Sequence, residues 1–314
     1  MRRFNFIKNR KYAFGFSIVL YVFFICMLIT KGVGLDISFR GGTRIMIQTV
    51  SEVDPNKASD LVEDVIGKNA MASVMETYSS DGQNDETVYM LRIDIAGNEP
   101  LTQEEEDKVK EVLAKNFDVV INSPLNENSS IAPTVGREAL RKAVIAVVIS
   151  MVLILLYVSW RFRTIGGLSA AACGIMALLH DVGVMFGVYI VFGLPLNDIF
   201  VAAILTVIGY SINDTVIIYD RIRENTKLMP KSDLENIINV SIQQSISRSI
   251  NTLATTLIAL VALLVFSVVN NIGSLIDFSF SLVIGTVTGA YSSIFIAAPL
   301  WHLWKERKVV VKKA

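Results

Sequence analysis

The sequence predicts a polytopic α-helical membrane protein with six transmembrane helices and one folded α+β domain outside the bundle. Hydrophobic residues make up 52% of the 314 residues, charged residues only 18%, and the mean hydropathy is +0.51. A chain this long and this apolar is not expected to be soluble. Six segments offer the roughly 20 apolar residues that a helix needs to cross a bilayer. They are Tyr12–Thr30, Ala139–Trp160, Ile165–Phe192, Asp198–Asp220, Ser249–Val269 and Phe278–Trp301.

Charge along the chain predicts which side of the membrane each loop faces. Residues 31–138 hold 20 of the 29 acidic residues but only 10 of the 29 basic ones. Lysine and arginine cluster before the first segment, between the second and third, after the fourth and after the sixth, whereas loops 193–197 and 270–277 contain neither. Because basic residues accumulate on the cytoplasmic side, both termini are predicted inside and residues 31–138 outside. The exception is the group at the outer end of the second segment, Arg137, Arg141 and Lys142.

These observations divide the chain into four predicted parts. Residues 1–30 form the cytoplasmic N-terminus and the first transmembrane helix, and residues 31–138 form an extracytoplasmic α+β domain. Residues 139–304 form a five-helix transmembrane bundle, and residues 305–314 form a basic cytoplasmic tail.

The pattern within residues 31–138 predicts a ferredoxin-like domain. The four segments predicted as strands are 43–50, 70–78, 86–95 and, closing the domain, 118–122. Asp54 before Pro55, and Thr102 with Glu105, are start signals for two helices. The resulting order, β-α-β-β-α-β, is that of the ferredoxin-like fold. The domain contains no cysteine and no histidine, so we expect a binding or lever module rather than an enzyme, with no catalytic site and no metal.

A carboxylate inside the fourth apolar segment is the most informative feature of the sequence. Asp214 lies six residues before Asp220, which places it roughly 9 Å inside the cytoplasmic boundary at about 1.5 Å per residue. A charged side chain at the bilayer centre costs roughly 3 kcal/mol by the lower estimates. Tyr210, Ser211 and Asp214 share one helix face, with Asn213 beside it. Such a group indicates proton or ion handling, or pairing within a bundle.

Arg248, in the next apolar segment, is the predicted partner of Asp214. It belongs to a polar stripe formed by Ser245, Arg248, Ser249, Thr252, Thr255 and Thr256. Both charges lie near the cytoplasmic ends of consecutive antiparallel helices, so the sequence allows an ion pair. Two interpretations are open: a static pair that fixes helix packing, or a proton site whose partners separate and rejoin. The residues assigned to proton transfer are Asp214, Arg248, Asn213, Ser211 and Thr252.

Three further segments carry predictions. His180 and Asp181, in the third apolar segment, form either a second polar station or a satisfied structural pair. Gly285 and Gly289 belong to a stripe of small residues, four apart, that lets another helix approach closely. Residues 231–244 are predicted as a separate interfacial helix with its apolar face toward the membrane.

Four motifs in the apolar segments are specific enough to indicate a family. They are VIGYSINDTVIIYDRIREN (207–225), ISRSINT (246–252), GTVTGAYSSIF (285–295) and LLHDVG (178–183). With one early span, a large outer domain and five clustered spans, the chain resembles the SecF branch of the SecD/SecF family of bacterial protein-export proteins over nearly its whole length. The segment GLDISFRGGT (34–43) departs from the Asp-Phe-Thr-Gly-Gly-Thr pattern of that family, because Ser38 and Arg40 replace the Asp and the Thr.

The resemblance implies a membrane fold like that of the resistance-nodulation-division (RND) proteins, completed to twelve spans by a SecD partner. It also implies association with the SecYEG channel, the YajC accessory subunit and a translocating preprotein at the bacterial cytoplasmic membrane, and no nucleic acid. The proton gradient, without a cofactor, would supply the energy for translocation. Asp214 would be the intramembrane carboxylate and Arg248 its basic partner, and the outer domain would grip or push the emerging chain.

Two other functions are weighed against this one. A half-transporter that exports small molecules or lipids would use the same membrane fold, although drug exporters of this fold usually carry larger outer domains in both halves. A passive scaffold of the translocation channel would need no proton site. A scaffold should therefore tolerate Asp214→Asn, whereas a proton-driven subunit should not.

The predicted orientation can be tested by cysteine labelling. In a chain carrying Cys26→Ser and Cys173→Ser, we introduce Asp81→Cys or Lys231→Cys. A membrane-impermeant thiol reagent applied to intact cells is expected to label position 81 and not position 231, because the basic loop should lie inside. Broken cells, in which both positions should react, are the control. Labelling of position 231 in intact cells would contradict the orientation.

Overall fold

The computed structural model describes residues 5–79, 86–96, 100–270 and 272–313, and within them six helices are long and apolar enough to cross a membrane, as predicted. The helices of the bundle are α1 (Arg10–Lys31), α5 (Pro133–Arg161), α6 (Gly167–Phe192), α7 (Asp198–Leu228), α8 (Leu234–Val269) and α9 (Gly273–Ser292). After α9, a π-helical turn (Ser293–Ala297) leads into α10 (Ala298–Lys313). The sixth span runs from Gly273 to Glu306.

Between α1 and α5 the chain folds into the predicted α+β domain. Its elements are α2 (Ile37–Arg40), β1 (Gly42–Thr49), α3 (Pro55–Ile66), β2 (Ala70–Ser79), β3 (Glu86–Ala96), α4 (Gln103–Asn116) and β4 (Glu127–Ile131). The sheet order β2-β3-β1-β4 is antiparallel throughout, as in a ferredoxin-like fold. Both start signals work as expected: Asp54 accepts the Asn56 N–H, and Thr102 and Glu105 form a capping box. Ile45, Leu91 and the other core residues lie under α3 and α4.

The prediction of a closing strand at 118–122 was wrong. Within that segment Val119 makes a single bridge to Thr49, and the Val120 N–H donates to the Gln48 carbonyl at 2.8 Å. The chain then leaves the edge of β1, and the Asn126 side chain accepts the Gln48 N–H at 2.8 Å. The fourth strand is β4, which is almost entirely exposed. The β4 side chains are nearly all exposed and show no hydrophobic alternation, so the sequence pattern cannot identify this strand. Its conformation depends on backbone hydrogen bonds to β1.

Residues 231–244 do not form a separate interfacial helix, contrary to the prediction. From Leu234 onward they are the first turns of α8, which continues unbroken for 36 residues. This stretch contains no glycine or proline that would break the helix, so the residues before the apolar segment and the segment itself form one continuous helix. Ile238 and Ile242 are fully buried in a cluster that includes Phe6, Ile7 and Trp301. Asn239 accepts the N–H groups of Phe6 and Ile7 and so anchors the chain N-terminal to α1.

Close helix contacts in the bundle occur where glycines lie. In α6, a side chain at Gly183 or Gly187 would collide with Tyr21 or Phe24 of α1. In α9, a Cβ at Gly289 would lie 2.9 Å from the Cβ of Ser211 in α7, and Gly285 leaves no room for one either. The helices α6 and α7 and the span Gly273–Glu306 form the centre of the bundle, because 50%, 44% and 61% of the residues in their apolar stretches are buried, against 6% for α5 and α8.

The outer domain is expected to fold by itself. Residues 41–132 should unfold in one cooperative urea transition followed by circular dichroism. Leu91→Ala, at a fully buried site, should lower the free energy of unfolding by about 2–5 kcal/mol. Val50→Ala, at a site that is 67% exposed, is the control and should change it by less than about 0.5 kcal/mol. A fragment ending at residue 125 lacks β4 and should be less stable. A gradual, non-cooperative melt of 41–132 would contradict the prediction.

The packing of α9 on α7 can be tested at Gly289. Gly289→Ala inserts a methyl group against Ser211, and overpacking of this kind typically costs about 1–3 kcal/mol. The purified chain in detergent should therefore melt at a lower temperature. Gly15→Ala in α1, where nothing lies within 4 Å of the added carbon, should leave the melting temperature unchanged. Equal melting temperatures for the two variants would show that the helices are not in close contact.

Candidate functional site

Asp181, midway along α6, is a fully buried carboxylate that joins three helices. Its Oδ2 atom accepts hydrogen bonds from Ser211 Oγ of α7 at 2.6 Å and from Ser292 Oγ of α9 at 2.9 Å. Its Oδ1 atom has no hydrogen-bond partner among the described residues and lies 3.5 Å from Nδ1 of His180. The central helices of the bundle are thus tied together through one side chain.

His180 extends this polar network to α1. Its Nε2 atom lies 3.1 Å from Ser17 Oγ, and Ser17 Oγ lies 3.2 Å from the hydroxyl of Tyr291. The Tyr291 hydroxyl donates to the Ala13 carbonyl at 2.8 Å, and Tyr21 donates to the His180 carbonyl at 3.0 Å. A continuous row of polar side chains therefore runs from the first helix to Asp181 through the interior of the bundle.

The π-helical turn of the sixth span brings a second pair of hydroxyls to the same place. Ser293 Oγ lies 2.8 Å from Thr215 Oγ1 and donates to the Ser211 carbonyl at 3.3 Å. A π turn adds a residue to the helical repeat, and the adjacent Ser292 and Ser293 here bond to α6 and α7 respectively. Single π turns of this kind are frequent at functional sites.

Asp214 has different surroundings. It is 2% exposed, yet within the described chain it makes no hydrogen bond and no ion pair closer than 4.0 Å. Arg248 of α8 interacts with it electrostatically, but the Arg248 side chain lies on the exposed surface of the bundle. Asp214 and Arg248 are therefore close enough to interact electrostatically but do not form an ion pair, and we call this arrangement an open pair.

The other residues assigned to proton transfer separate into two groups. Ser211 belongs with Asp181 and not with Asp214, three residues further along α7. Thr252 donates to the Arg248 carbonyl at 2.9 Å within its own helix, and Asn213 is exposed beside Asp214. His180, Asp181 and Ser211 therefore form an interior network, and Asp214 lies at the edge where α7 meets α8.

Several residues of the interior network were missed by the sequence analysis: Ser17, Tyr21, Thr215, Tyr291, Ser292 and Ser293. Hydroxyl side chains in helices commonly bond to a carbonyl one turn back, so their presence in apolar sequence does not indicate a site. The available signal was the Tyr-Ser-Ser sequence of the 285–295 motif, which places three hydroxyls in succession.

The edge around Asp214 also carries polar side chains on the exterior of the bundle. Asn213 of α7 and Arg248, Asn251 and Thr255 of α8 are all exposed. Polar groups facing lipid are costly because hydrocarbon offers no hydrogen-bond partners. A partner that supplies polar contacts to Asn213, Arg248 and Asn251 would remove this cost.

Known proteins resemble this chain in both sequence and structure. The family described as protein export membrane protein SecD/SecF, C-terminal, matches residues 109–307. The SecF subunit of Petrotoga mobilis is 31% identical over 314 residues, with 100% of each chain covered. The SecF subunit of Cereibacter sphaeroides is 37% identical over 288 residues, covering 91% of this chain and 84% of that protein.

Fused SecDF proteins match over the chain as well. SecDF of Bacillus subtilis is 34% identical, and the match covers 98% of this chain but 39% of that longer protein. The crystal structure of SecDF from Thermus thermophilus has a TM-score of 0.78 at 30% identity, covering 97% of this chain and 39% of that one. The match to residues 109–307 and the similarity to SecF proteins along the whole length show that the chain belongs to the SecD/SecF family of protein-export membrane proteins, as a SecF-type subunit of the Sec translocase.

Proposed function

We propose that the chain works with a SecD half to drive preprotein translocation by the proton gradient, with Asp214 as the proton-binding group. One observation carries the proposal: Asp214 is buried in the membrane bundle, unbonded among the described residues, with Arg248 in electrostatic range. A pair with a purely structural role would be closed, because an uncompensated buried charge is strongly destabilising. An open pair suits a site that alternates between two states.

The SecD half would cover the polar edge of the bundle. Asn213, Arg248 and Asn251 are exposed there, and the fused SecDF relatives carry both halves in one chain. A covering helix with polar groups of its own would then lie directly beside Asp214. Protons would pass along this interface between the halves, and not through the centre of the six-helix bundle.

The remaining assigned residues take supporting roles. Asn213 neighbours Asp214 on α7, and Thr252 lies one turn after Arg248 on α8, and both would hold water between the two charges. His180 and Asp181 form the second polar station, and Ser211 is the nearest link between that station and Asp214, since about 4.5 Å of helical rise separates the two residues. A change at Asp214 that rotates α7 would have to break the Ser211–Asp181 hydrogen bond.

The proton gradient supplies enough energy for such a cycle. Each elementary charge that crosses 100 mV contributes about 2.3 kcal/mol. One or two protons therefore suffice to break a hydrogen bond to a buried carboxylate, which is worth about 1.5–3 kcal/mol. No cofactor and no catalytic residue is needed for this work.

The orientation and partners follow from the basic loops and from the family. Lysine and arginine cluster before the first span, after the second, after the fourth and after the sixth, and this pattern favours a topology with both termini in the cytoplasm. The ferredoxin-like domain then lies outside the cytoplasmic membrane, where it would contact the emerging preprotein. The unit would act beside the SecYEG channel and YajC, as proteins of this family are expected to do.

Asp214→Asn retains the size of the side chain and removes its titratable group. In membrane vesicles that contain the full chain and its SecD half, we expect the gradient-dependent part of preprotein export to fall about tenfold or more, the scale of losing a positioned proton-transfer group. Arg248→Ala should fail similarly, whereas Arg248→Lys keeps the charge without the planar guanidinium and should retain part of the activity. Export is normalised to the amount of assembled complex.

Asp220→Asn is the matched control on the same helix. The Asp220 carboxylate pairs with Arg161 and Arg223, both at 2.9 Å, and is partly exposed, so its loss should cost about 1 kcal/mol or less and leave export intact. A static Asp214–Arg248 pair predicts instead that breaking either side reduces the amount of complex. Normal gradient-dependent export by Asp214→Asn would contradict the proton site and favour a passive scaffold.

A further inference from the structure

The outer domain contains a cluster of four charged residues, Asp36, Arg44, Arg92 and Asp94, which we term the junction cluster. Strand residues alternate between the two faces of a sheet. Ile45, Leu91 and their alternates face the helices of the domain, so Arg44, Arg92 and Asp94 lie on the opposite face. Asp36 comes from the connector between α1 and β1 and is only 4% exposed.

Both carboxylate oxygens of Asp36 accept hydrogen bonds. Its Oδ2 atom accepts from Arg44 Nη2 at 2.6 Å and from Arg92 Nη2 at 2.9 Å. Its Oδ1 atom accepts from the backbone N–H and the hydroxyl of Ser38, at 2.9 and 2.7 Å. Asp94 accepts from the same two arginines at 2.6 to 3.1 Å. The two guanidinium groups are thus held between two carboxylates.

The Asp36 carboxylate is held in its charged form. Burial by itself would raise its pKa, but the Ser38 hydrogen bonds and the charges of Arg44 and Arg92 outweigh burial and lower the pKa below the usual value. Burial by itself would lower the pKa of Arg44, but its bonds to Asp94 and Asp36 outweigh burial and raise that pKa above the usual value. Both partners therefore keep their charges, and separating them would leave the buried Asp36 charge without compensation.

The backbone of Asp36 is hydrogen-bonded to the membrane bundle. Its N–H donates to the Leu196 carbonyl at 3.0 Å, and the Leu196 N–H donates to the Gly34 carbonyl at 2.9 Å. Leu196 lies in the short loop between α6 and α7. The next residue, Asn197, accepts the Phe200 N–H at the start of α7 and donates to Asp277 of α9 at 3.1 Å. Asp36 is therefore linked to the first turn of the helix that carries Asp214.

A second connection between the two parts is steric. Gly41 has a φ of +81°, and a Cβ there would lie 2.6 Å from the backbone of Pro133, the first residue of α5. A Cβ at Gly136 would lie 3.0 Å from Phe39. The connector is thus held tightly against α5 at one point. On the side of Asp36, by contrast, a cleft of about 350 Å³ separates Pro195 of the α6–α7 loop from Met71 of the sheet.

We propose that Asp36 is a positioning residue that transmits movement of α7 to the outer domain, with the Gly41–Pro133 contact as the pivot. A shift of α7 moves the loop at Leu196 and with it the Asp36 backbone. The Asp36 carboxylate pulls on Arg44 and Arg92 in two neighbouring strands, so the sheet tilts as one body into the adjacent cleft. The inference rests on the proposed function, since it gives the proton-driven step a route to the preprotein side.

Asp36→Asn is a sharp test of the junction cluster. Asparagine caps helices as well as aspartate does, so α2 should remain while the charge that holds both arginines is lost. The matched control is Asp54→Asn. Asp54 is the N-cap of α3, accepts the Asn56 N–H and makes no ion pair among the described residues, so this substitution removes a cap charge without breaking a pair. Each variant is made in the full chain with its SecD half.

Two measurements are made on each variant. Hydrogen exchange of the amides at 34–36 and at 194, 196 and 197 should accelerate about tenfold or more in Asp36→Asn, because hydrogen bonds to charged groups contribute at least that factor. Proton flux through the vesicles should persist while preprotein export falls, so that export per proton drops about tenfold. Asp54→Asn should change neither quantity. Arg44→Lys, which retains a charge for Asp36, should show a smaller effect than Asp36→Asn.

The outcomes separate this inference from the proposed function. Unchanged exchange at 194, 196 and 197 in Asp36→Asn would overturn the inference, whatever the transport result. Proton flux and export that fall together, or an equal effect of Asp54→Asn, would also overturn it, because the residue would then serve only stability. Absence of gradient-dependent flux in the unaltered protein would refute the proposed function alone, and accelerated exchange would still establish the link between Asp36 and the loop.

Discussion

Close approach of α9 to α7 is the constraint on which the rest of the bundle depends. Lipid supplies no hydrophobic force between helices, so van der Waals contact and interhelical hydrogen bonds must hold them. Gly285 and Gly289 allow the two backbones to come close enough for both. At this spacing the hydroxyls of Ser211 and Ser292, from two different helices, reach the same oxygen of Asp181. Larger side chains in the seam would move these hydroxyls out of hydrogen-bond range.

The bundle therefore contains two buried carboxylates in contrasting states. Asp181 is held by donors from α7 and α9 and has His180 beside it, so its position is determined by the packing of three helices. Asp214 lies about one helical turn from Ser211 on α7 and makes no hydrogen bond among the described residues. The two carboxylates meet at α7, which carries Asp214 and also donates the Ser211 hydroxyl to Asp181 of α6.

The outer domain shows how the same kind of charge is used outside the lipid. One face of its sheet carries a hydrocarbon core under α3 and α4, and the other carries paired arginines and aspartates. Asp36 is buried and its partners are half-buried at the boundary with the bundle, where pairing offsets the loss of hydration. The domain is consequently attached by directional bonds at Asp36 and by a tight contact at Gly41.

Much of this architecture is determined by the sequence alone. Six long apolar runs leave no alternative to six spanning helices, and the cap signals at Asp54 and Thr102 begin the two helices of the outer domain as expected. A charged residue stands out in an apolar run, so the sequence suffices to mark Asp181 and Asp214 as candidate site residues. In these cases the signal is local, because chain composition over one helix or one turn decides the result.

Tertiary structure decided everything that depends on contacts between distant segments. The strand β4 is exposed and polar, and pairing with β1 rather than any hydrophobic pattern makes it a strand. The assignment of Ser211 to Asp181 instead of Asp214 depends on how far α7 is rotated, which the glycines of α9 set from more than 70 residues away. The open state of the Asp214–Arg248 pair is likewise a property of the angle and spacing between α7 and α8, and neither helix encodes that geometry by itself.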